Sequence, residues 1–583
     1  MQVLLDEGKL VLNGTIKLTK SLAELKITPT VQAILASRID RLPADEKDLL
    51  QTLAVMGKEF PLGLIRKVTG KRDDELERML GDLQLGEFIY EQPALPDVEY
   101  TFKHALTHEV AYGSVLNERR KPLHERTAQA LESLFAGKLD DHLQDLARHY
   151  SRSGNTIKAI HYLQMAGEQA ARRCAHEEAT GLFNSALEML AREPDGHERM
   201  RREVELRLAL IGSLVANQGY AAPEVAESAR RALELSGELG EPGLRFSALM
   251  FAWAFHQVSR DLERAGAASR ELIELADRAR EPAMIVHANF ASGAVSLFCG
   301  RLHAARASLE QALAVTDPTP LAGMPQDPRV AALSFLSLTL WLLGHPAAAI
   351  EMTREAVRRA RGLGHHMSMA FALSYGAMLH LCDRDPAAAH ELADEAYRVA
   401  MEHGFRYWSA LGSTYRGIAQ AALGRTAEGI AETLAGIDSY RATGSVLGSA
   451  AVVVGLVSSY LKAGRADEAL SAAEQALSVN EQTGARMSEA ELYRLKGEAM
   501  LAGGASSEAQ AQVCLEKAIM VAREQEARSW ELRAAMSLAR LLDKRGRRDE
   551  ARTMLADIYG WFTEGFDTAD LTDAKALLDQ LHA

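Results

Sequence analysis

A small residue heading an amphipathic stretch returns about every forty residues along the second half of the chain. It stands at Ala265, Ala305, Ala349, Ala389, Gly429, Ala469, Ala511 and Ala551, in steps of 40, 44, 40, 40, 40, 42 and 40 residues. Gly424-Arg425, Gly464-Arg465 and Gly546-Arg547 open the turn before the small residue, as do Gly300-Arg301 and Gly344-His345. Seven residues after it a second small residue recurs, at Ala312, Ala356, Ala396, Gly436, Ala476 and Ala518. Two small residues seven apart lie on one helix face two turns apart, where they let another helix come close. Self-similarity of this period constrains the chain to an array of helical repeats. The seventh position is large at Leu233, Leu272 and Ile558, so the repeats degenerate at both ends, as repeats that cap a stack do.

At 583 residues the chain is too long for one core. Aromatic residues make up only 6%, which suits close-packed helices. A formal net charge of -13 argues against general binding to nucleic acid or anionic membranes. Cys174, Cys299, Cys382 and Cys514 form no C-x-x-C pair, so neither a zinc knuckle nor a redox motif is indicated. Scattered cysteines fit a reducing compartment. The N-terminus has no signal-peptide pattern, and the most apolar stretch, 450–461, is too short to span a bilayer. The expectation is a cytoplasmic protein without a membrane partner.

Leu10 to Leu18 reads as two short strands across Asn13-Gly14, the tail of something larger. Residues 28–57 read as a helical arm. Pro29 opens a helix from Thr30 to Leu42, Pro43 stops it, and a second helix runs from Ala44 to about Met56. Residues 58–135 read as helices followed by a two-stranded wing, the winged-helix pattern. Phe60-Pro61 leads a helix to Val68, Asp73 or Asp74 caps the next, and strands at 88–91 and 100–103 flank a linker with Pro93 and Pro96. A helix from about Thr107 to Leu134 follows, with a break expected at Pro122. Residues 140–190 hold the first hairpins. Leu146, Ala147, Tyr150, Ala159 and Ala166 follow the tetratricopeptide pattern, and Ala179, Phe183 and Ala186 repeat its second half. Residues 191–205, with Pro194-Asp195-Gly196, read as a loop, and Asp317-Pro318-Thr319-Pro320 with Asp327-Pro328 as an insertion. The array spans 200–558, and 559–583 form a capping helix.

Thr30-Val31-Gln32-Ala33-Ile34-Leu35-Ala36-Ser37-Arg38-Ile39-Asp40-Arg41-Leu42-Pro43 resembles the segment after the nucleotide-binding core of bacterial signalling ATPases of the STAND class. So does the stretch from Tyr100 through His104 and His108 to Tyr112, and Tyr559-Gly560-Trp561-Phe562-Thr563-Glu564-Gly565-Phe566-Asp567 is similar to the ending of such chains. The resemblance implies the C-terminal half of a regulator in which a class III adenylate/guanylate cyclase domain and an ATPase core precede tetratricopeptide (MalT-like) repeats. It implies too that residues 1–27 are the tail end of an NTPase domain lying elsewhere. The fold it implies is all-α: a tetratricopeptide-like α-solenoid, a superhelix of helical hairpins, behind a small winged-helix-like module. The phosphate loop G-x-x-x-x-G-K-[ST] is missing. The Gly-Lys pairs at Lys9, Lys58, Lys71 and Lys138 are followed by Leu10, Glu59, Arg72 and Leu139, so phosphates lack their cradle and Mg²⁺ its hydroxyl. No paired cyclase aspartates can be placed. The expectations are no catalytic residues, no metal, and ATP or ADP only together with an NTPase domain outside this chain. The partners expected are a protein or peptide in the repeat groove, or the protein's own NTPase or cyclase domains.

By the same resemblance His104 is the candidate nucleotide-phosphate sensor, since a neutral imidazole can donate to a phosphate. Its competing assignment is a histidine closing a strand–helix junction. His104 and His108, with Glu109, have a spacing that could hold zinc, but their order is not H-E-x-x-H. Arg119-Arg120-Lys121 and Arg126 form a basic run, diluted by Glu118 and Glu125 and more economically read as a solvated helix face. His365-His366 reads as a turn and the five tryptophans as core. A repeat clamp for a terminal carboxylate would need Lys, Asn or Arg about fifteen, eleven and seven residues before each small residue. Those positions hold Ser334, Leu338 and Leu342, then Ser374, Met378 and Cys382, then Thr414, Ile418 and Ala422; with the positions before Ala469 included, only Lys462 is basic. An apolar or helical segment is therefore the expected occupant of the central groove. The alternative functional class is a transcriptional regulator with a repeat-type effector domain, although the chain ends in one short helix and no helix-turn-helix.

Overall fold

The computed structural model describes residues 10–12, 16–18, 31–92, 98–259, 261–316, 324–446, 449–504 and 507–582. The Asn13-Gly14 turn, Pro29, Thr30, Pro93, Pro96 and Asp317 to Pro320 lie outside them. Strands β1 (Leu10–Leu12) and β2 (Ile16–Leu18) pair antiparallel, with Leu10 opposite Leu18. The chain divides into two compact units. The first holds residues 1–169 with 184–193, and the second holds 170–183 with 194–583.

In the first unit the helices Val31–Asp40, Ala44–Met56, Leu62–Thr69 and Asp73–Leu85 bury Ile39, Leu49, Leu53, Ile65, Leu76 and Leu80. Against them lies an antiparallel sheet of β3 (Glu59–Pro61), β4 (Ile89–Gln92) and β5 (Glu99–Phe102), in the order β3-β5-β4. β3 is an addition to the sequence reading, which took Phe60-Pro61 for the approach to a helix. Phe60 lies opposite Tyr100 across the strands and meets the Phe102 ring at 5.6 Å, so the short strand is held by its aromatic side chain. The expected break at Pro122 is a correction. The chain interrupts at 114–116, between the helices Ala105–Gly113 and Asn117–Leu134, and Pro122 sits inside the second. An N–H at 122 would have reached Glu118 O, so the helix carries Pro122 at the loss of one hydrogen bond. Residues 197–205 are likewise helical, the first turns of His197–Gln218. Their charges pair along the helix as Arg202–Glu198 and Arg207–Glu203.

The second unit is the repeat array, and the protein is all-α and tetratricopeptide-like. Each repeat is a hairpin of a first helix and a second helix: Pro328–Leu342 with Pro346–Leu363, His366–Cys382 with Pro386–Glu402, Arg406–Ala422 with Thr426–Ala442, and so on to Arg528–Lys544 with Arg548–Tyr559. The recurring alanines at 265, 305, 349, 389, 469, 511 and 551 have no exposed surface. Where the recurring residue is Gly429, the helices come closest. A Cβ there would lie 2.5 Å from the Ala421 nitrogen, and one on Gly417 would lie 2.7 Å from the Thr433 nitrogen. Gly300, Gly344, Gly424, Gly464 and Gly546 end the first helices at φ between 70° and 104°, as a left-handed cap requires. In the equivalent place Arg384 adopts φ 63° without being glycine.

First helices of successive repeats touch one another, and the array curves until turns meet. The Val446 N–H donates to Val258 O, the Arg486 N–H to Phe298 O, and the Ser529 hydroxyl to Trp341 O. In each case the two residues are 188 apart, so one superhelical turn takes between four and five repeats. The C-terminal helix Ala569–His582 closes the last contact, with Arg384 Nη1 2.7 Å from Asp573 and 3.2 Å from Asp570.

Gly429→Ala is expected to lower stability by about 1–3 kcal/mol through overpacking. Gly181→Ala, in the middle of the helix His176–Leu190 with open space around it, should change stability by less than about 1 kcal/mol and in the stabilising direction. Denaturant midpoints and hydrogen exchange over residues 406–442 check both; equal effects would contradict the close approach.

Candidate functional site

The first helices include the most apolar of the array, among them Pro282–Phe298, Pro328–Leu342 and His366–Cys382. In Pro328–Leu342 every residue but Arg329 is buried, the pattern of a helix enclosed on all sides. Across five of them runs a column of rings. Trp253, Phe290, Phe335, Phe371 and Trp408 have successive centroid separations of 5.5, 5.5, 5.6 and 5.1 Å, within the range of favourable aromatic pairs. These residues stand 37, 45, 36 and 37 apart, the 45 spanning the 317–323 insertion. The other steps fall about one helical turn short of the 40-residue period. The column therefore drifts toward the helix starts, from Trp253 late in Pro242–Val258 to Trp408 in the first turn of Arg406–Ala422.

Beside the column lies a chamber with about 70 Å³ of free space. Tyr220, Tyr375, Tyr407, Tyr415 and Tyr440 complete its wall, with Leu338, Met378 and Met487, and among the described residues no Lys, Arg, His, Asp or Glu lines it. Burial pushes the phenols up, Tyr407 to about 12, so they stay neutral donors. The Tyr220 hydroxyl donates to Gln326 Oε1 at 3.0 Å. Gln257 is 5% exposed, and neither its Oε1 nor its Nε2 has a hydrogen-bond partner; Trp253 Nε1 is equally buried and unpartnered. Trp253 also borders a smaller space of about 20 Å³ next to His287, whose ring burial holds neutral, with a pKa lowered to about 4.

A second cavity, about 550 Å³, is charged. Arg494 donates to both Glu491 oxygens at 2.8 Å, and Arg533 Nε donates to Asp570 at 2.7 Å. The Arg533 guanidinium sits 5.1 and 5.0 Å from the Trp341 and Trp530 rings. Nearby, burial pushes the Asp383 carboxyl up to about 6 while Trp341 Nε1 donates to it. The buried cations here are matched by carboxylates, which makes this a structural network joining turns.

The residues singled out from sequence are dispersed. His104 is exposed at the N-cap of Ala105–Gly113, and its side chain makes no capping bond. His108 turns inward, with Nε2 3.0 Å from Ala54 O. The two do not converge, and among the described residues no three His, Cys, Asp or Glu side chains are placed to hold a metal. Arg119 pairs with Asp48, and Arg120 reaches Gly113 O while covering Tyr112, so half of the basic run is used internally. His365 caps the helix it precedes through Ser368, and His366 stacks on His403 at 3.7 Å. Of the groove positions, Ser334, Leu338, Leu342, Ser374 and Thr414 are buried. Leu338 and Met378 line the aromatic chamber, and Met378, Cys382, Ile418 and Ala422 line the second cavity. The sequence reading missed the column and Gln257; ring spacings of 36–37 within a 40-residue repeat are the signal that would have found them.

No family model matches the chain. A curated protein of Rhizobium meliloti (strain 1021), described as uncharacterized, is 24% identical over 532 residues, which is 88% of this chain and 50% of that protein. The chain thus spans half the length of the curated relative it matches. Similar solved structures include a Rap protein complexed with Competence and Sporulation Factor, at 13% identity and TM-score 0.45 over 66% of this chain and 100% of that one. A STAND protein with a tetratricopeptide repeat sensor from Pyrococcus horikoshii matches at 11% identity and TM-score 0.32, over 96% and 68%. The apo quorum sensor NprR from B. thuringiensis matches at 14% identity and TM-score 0.38, over 62% and 99%. No helix among the described residues is long and apolar enough to cross a membrane.

In the first unit His124 and His149 face each other, Nδ1 to Nδ1 at 2.9 Å, with Tyr112 Oη 3.1 Å from His124 Nε2 and Met56 O 3.1 Å from His149 Nε2. One proton fits between the two Nδ1 atoms, so both rings cannot be imidazolium. Burial, reinforced by Arg148 and Arg152, lowers the His124 pKa to about 4 and that of His149 well below its usual value. The unfolded chain therefore binds protons that the folded unit refuses. Stability is complete above about pH 6.5 and falls as pH drops toward about 4, by up to about 1.4 kcal/mol per pH unit for each ring. Hydrogen exchange over 117–153 at pH 7 and 5, corrected for intrinsic rates, reads the loss; equal protection at both would contradict it.

Proposed function

We propose that the chain is the sensing and interaction module of a bacterial, cytoplasmic signal-transduction protein. Its array takes up a partner, and the helix-and-sheet module in front relays the event to an NTPase or cyclase domain outside this chain. The observation that carries this reading is the uncharged aromatic chamber on the inner helices, walled by rings from five repeats and holding unpaired polar atoms. A ligand there touches several repeats at once and so bears on the curvature of the whole turn. The STAND resemblance of residues 30–43 and 100–112 supports the relay, as does the order of helices and hairpin in the winged-helix-like module. Internal use of Arg119 and Arg120 counts against the alternative of a DNA-binding regulator.

On this reading the chain is not an enzyme, and His104 meets a nucleotide only beside an NTPase core. The purified chain should neither hydrolyse ATP nor form a cyclic nucleotide, and ADP should leave its melting temperature unchanged. Turnover that disappears on mutating a residue of this chain, or stabilisation by ADP that His104→Ala removes, would overturn it.

A further inference from the structure

We propose that the chamber beside the aromatic column binds a small uncharged molecule that presents a hydrogen-bond donor next to an acceptor, the edge carried by carboxamides, lactams and imides. The inference deepens the sensing reading and rests on it. Among the described residues the lining contains no ionisable acid or base other than phenols held neutral by burial, so an ionic ligand would enter without a countercharge from them. Gln257 brings both halves of a primary amide into this wall, 95% buried and with neither atom bonded. A buried amide leaves donor and acceptor unsatisfied only at a cost. The group that answers both together is another amide edge, whose acceptor faces Nε2 and whose donor faces Oε1. Trp253 Nε1 adds a second unpaired donor at the same wall.

Size narrows the class further. Free space of about 70 Å³ is roughly half that of the engineered cavity that admits benzene. The polar head is therefore enclosed, and the body lies toward the half-buried Tyr375 and Met378. Flat faces in the wall favour a planar body, since rings prefer offset-stacked or edge contacts. A cation held by the ring faces is the competing chemistry, but it leaves Gln257 Oε1 and Nε2 unequally served.

The test uses the full chain and four probes: benzamide, toluene, benzylammonium and tetramethylammonium. Trp253 and Trp408 in the wall report binding by fluorescence. Benzamide should quench, with an affinity at least about tenfold above that of toluene, and neither ammonium ion should bind more tightly than toluene. Gln257→Leu should bring the benzamide-to-toluene ratio close to one while keeping toluene binding. Should the leucine variant fail to fold, Gln257→Met, unbranched and of similar length, makes the same measurement. The proposal is overturned if toluene binds as tightly as benzamide, if either ammonium ion binds best, if the ratio survives loss of the amide, or if no probe binds the folded chain. Such a failure would leave the absence of nucleotide turnover, on which the sensing reading is tested, standing. Turnover by the chain would sink that reading whatever the probes do.

Discussion

Backbone-to-backbone contact between helices sets the geometry of the array. At Gly417, Gly429 and Gly436 there is no room for a single added carbon, and the alanines at the equivalent positions of other repeats are wholly buried. Helices that approach this closely fix the rotation from one repeat to the next. With first helices also packed on one another, the rotation accumulates until residues 188 apart are hydrogen-bonded, two pairs through their backbones and one through the Ser529 hydroxyl. The superhelix is thus tight enough to line its own interior, and the large side chains of the first helices have only one another to pack against.

That enclosure sorts polar groups by their partners. Where one turn meets the next, buried charge is retained because it is answered: Arg533 by Asp570 and two indole faces, Arg494 by Glu491. Breaking such a pair leaves a charge stranded in low dielectric. Along the aromatic column the solution is the opposite. Among the described residues charge is absent there, phenols are held neutral, and the two amide atoms of Gln257 stand without a protein partner. Arg384 shows the same economy at a turn. It takes a left-handed conformation that its neighbours reserve for glycine, and its side chain ties the turn to Asp570 and Asp573.

Much of this was legible in the amino-acid sequence. The 40-residue period, the small residues seven apart and the Gly-Arg turns are local signals that specify helical hairpins, and the structure builds them where those signals stand. What the period hides is anything that follows the axis of the superhelix. Outside the insertion the ring column advances by 36 or 37 residues and across it by 45, so a register drawn at 40 scatters its members. The carboxylate-clamp positions fail because Ser334, Ser374 and Thr414 face the packed interior, Thr414 against Gly436 of its own hairpin, and sequence spacing does not report which neighbour covers a residue. In the first unit β3 was invisible because three residues bearing a proline carry no strand pattern, and their partner lies forty residues on. The neighbouring histidines His104 and His108 looked like one constellation, yet the turn of the helix sends one to solvent and the other to Ala54.

The account depends on the turns of the array touching. Trp341 and Trp530, 189 residues apart with ring centroids at 4.7 Å, are the most direct reporters. A double-mutant cycle with Trp341→Leu, Trp530→Leu and the pair, read from the second unit's unfolding, is predicted to show a coupling of at least about 0.5 kcal/mol. Additive effects, within about 0.3 kcal/mol, would contradict the closed turn and with it the enclosed chamber.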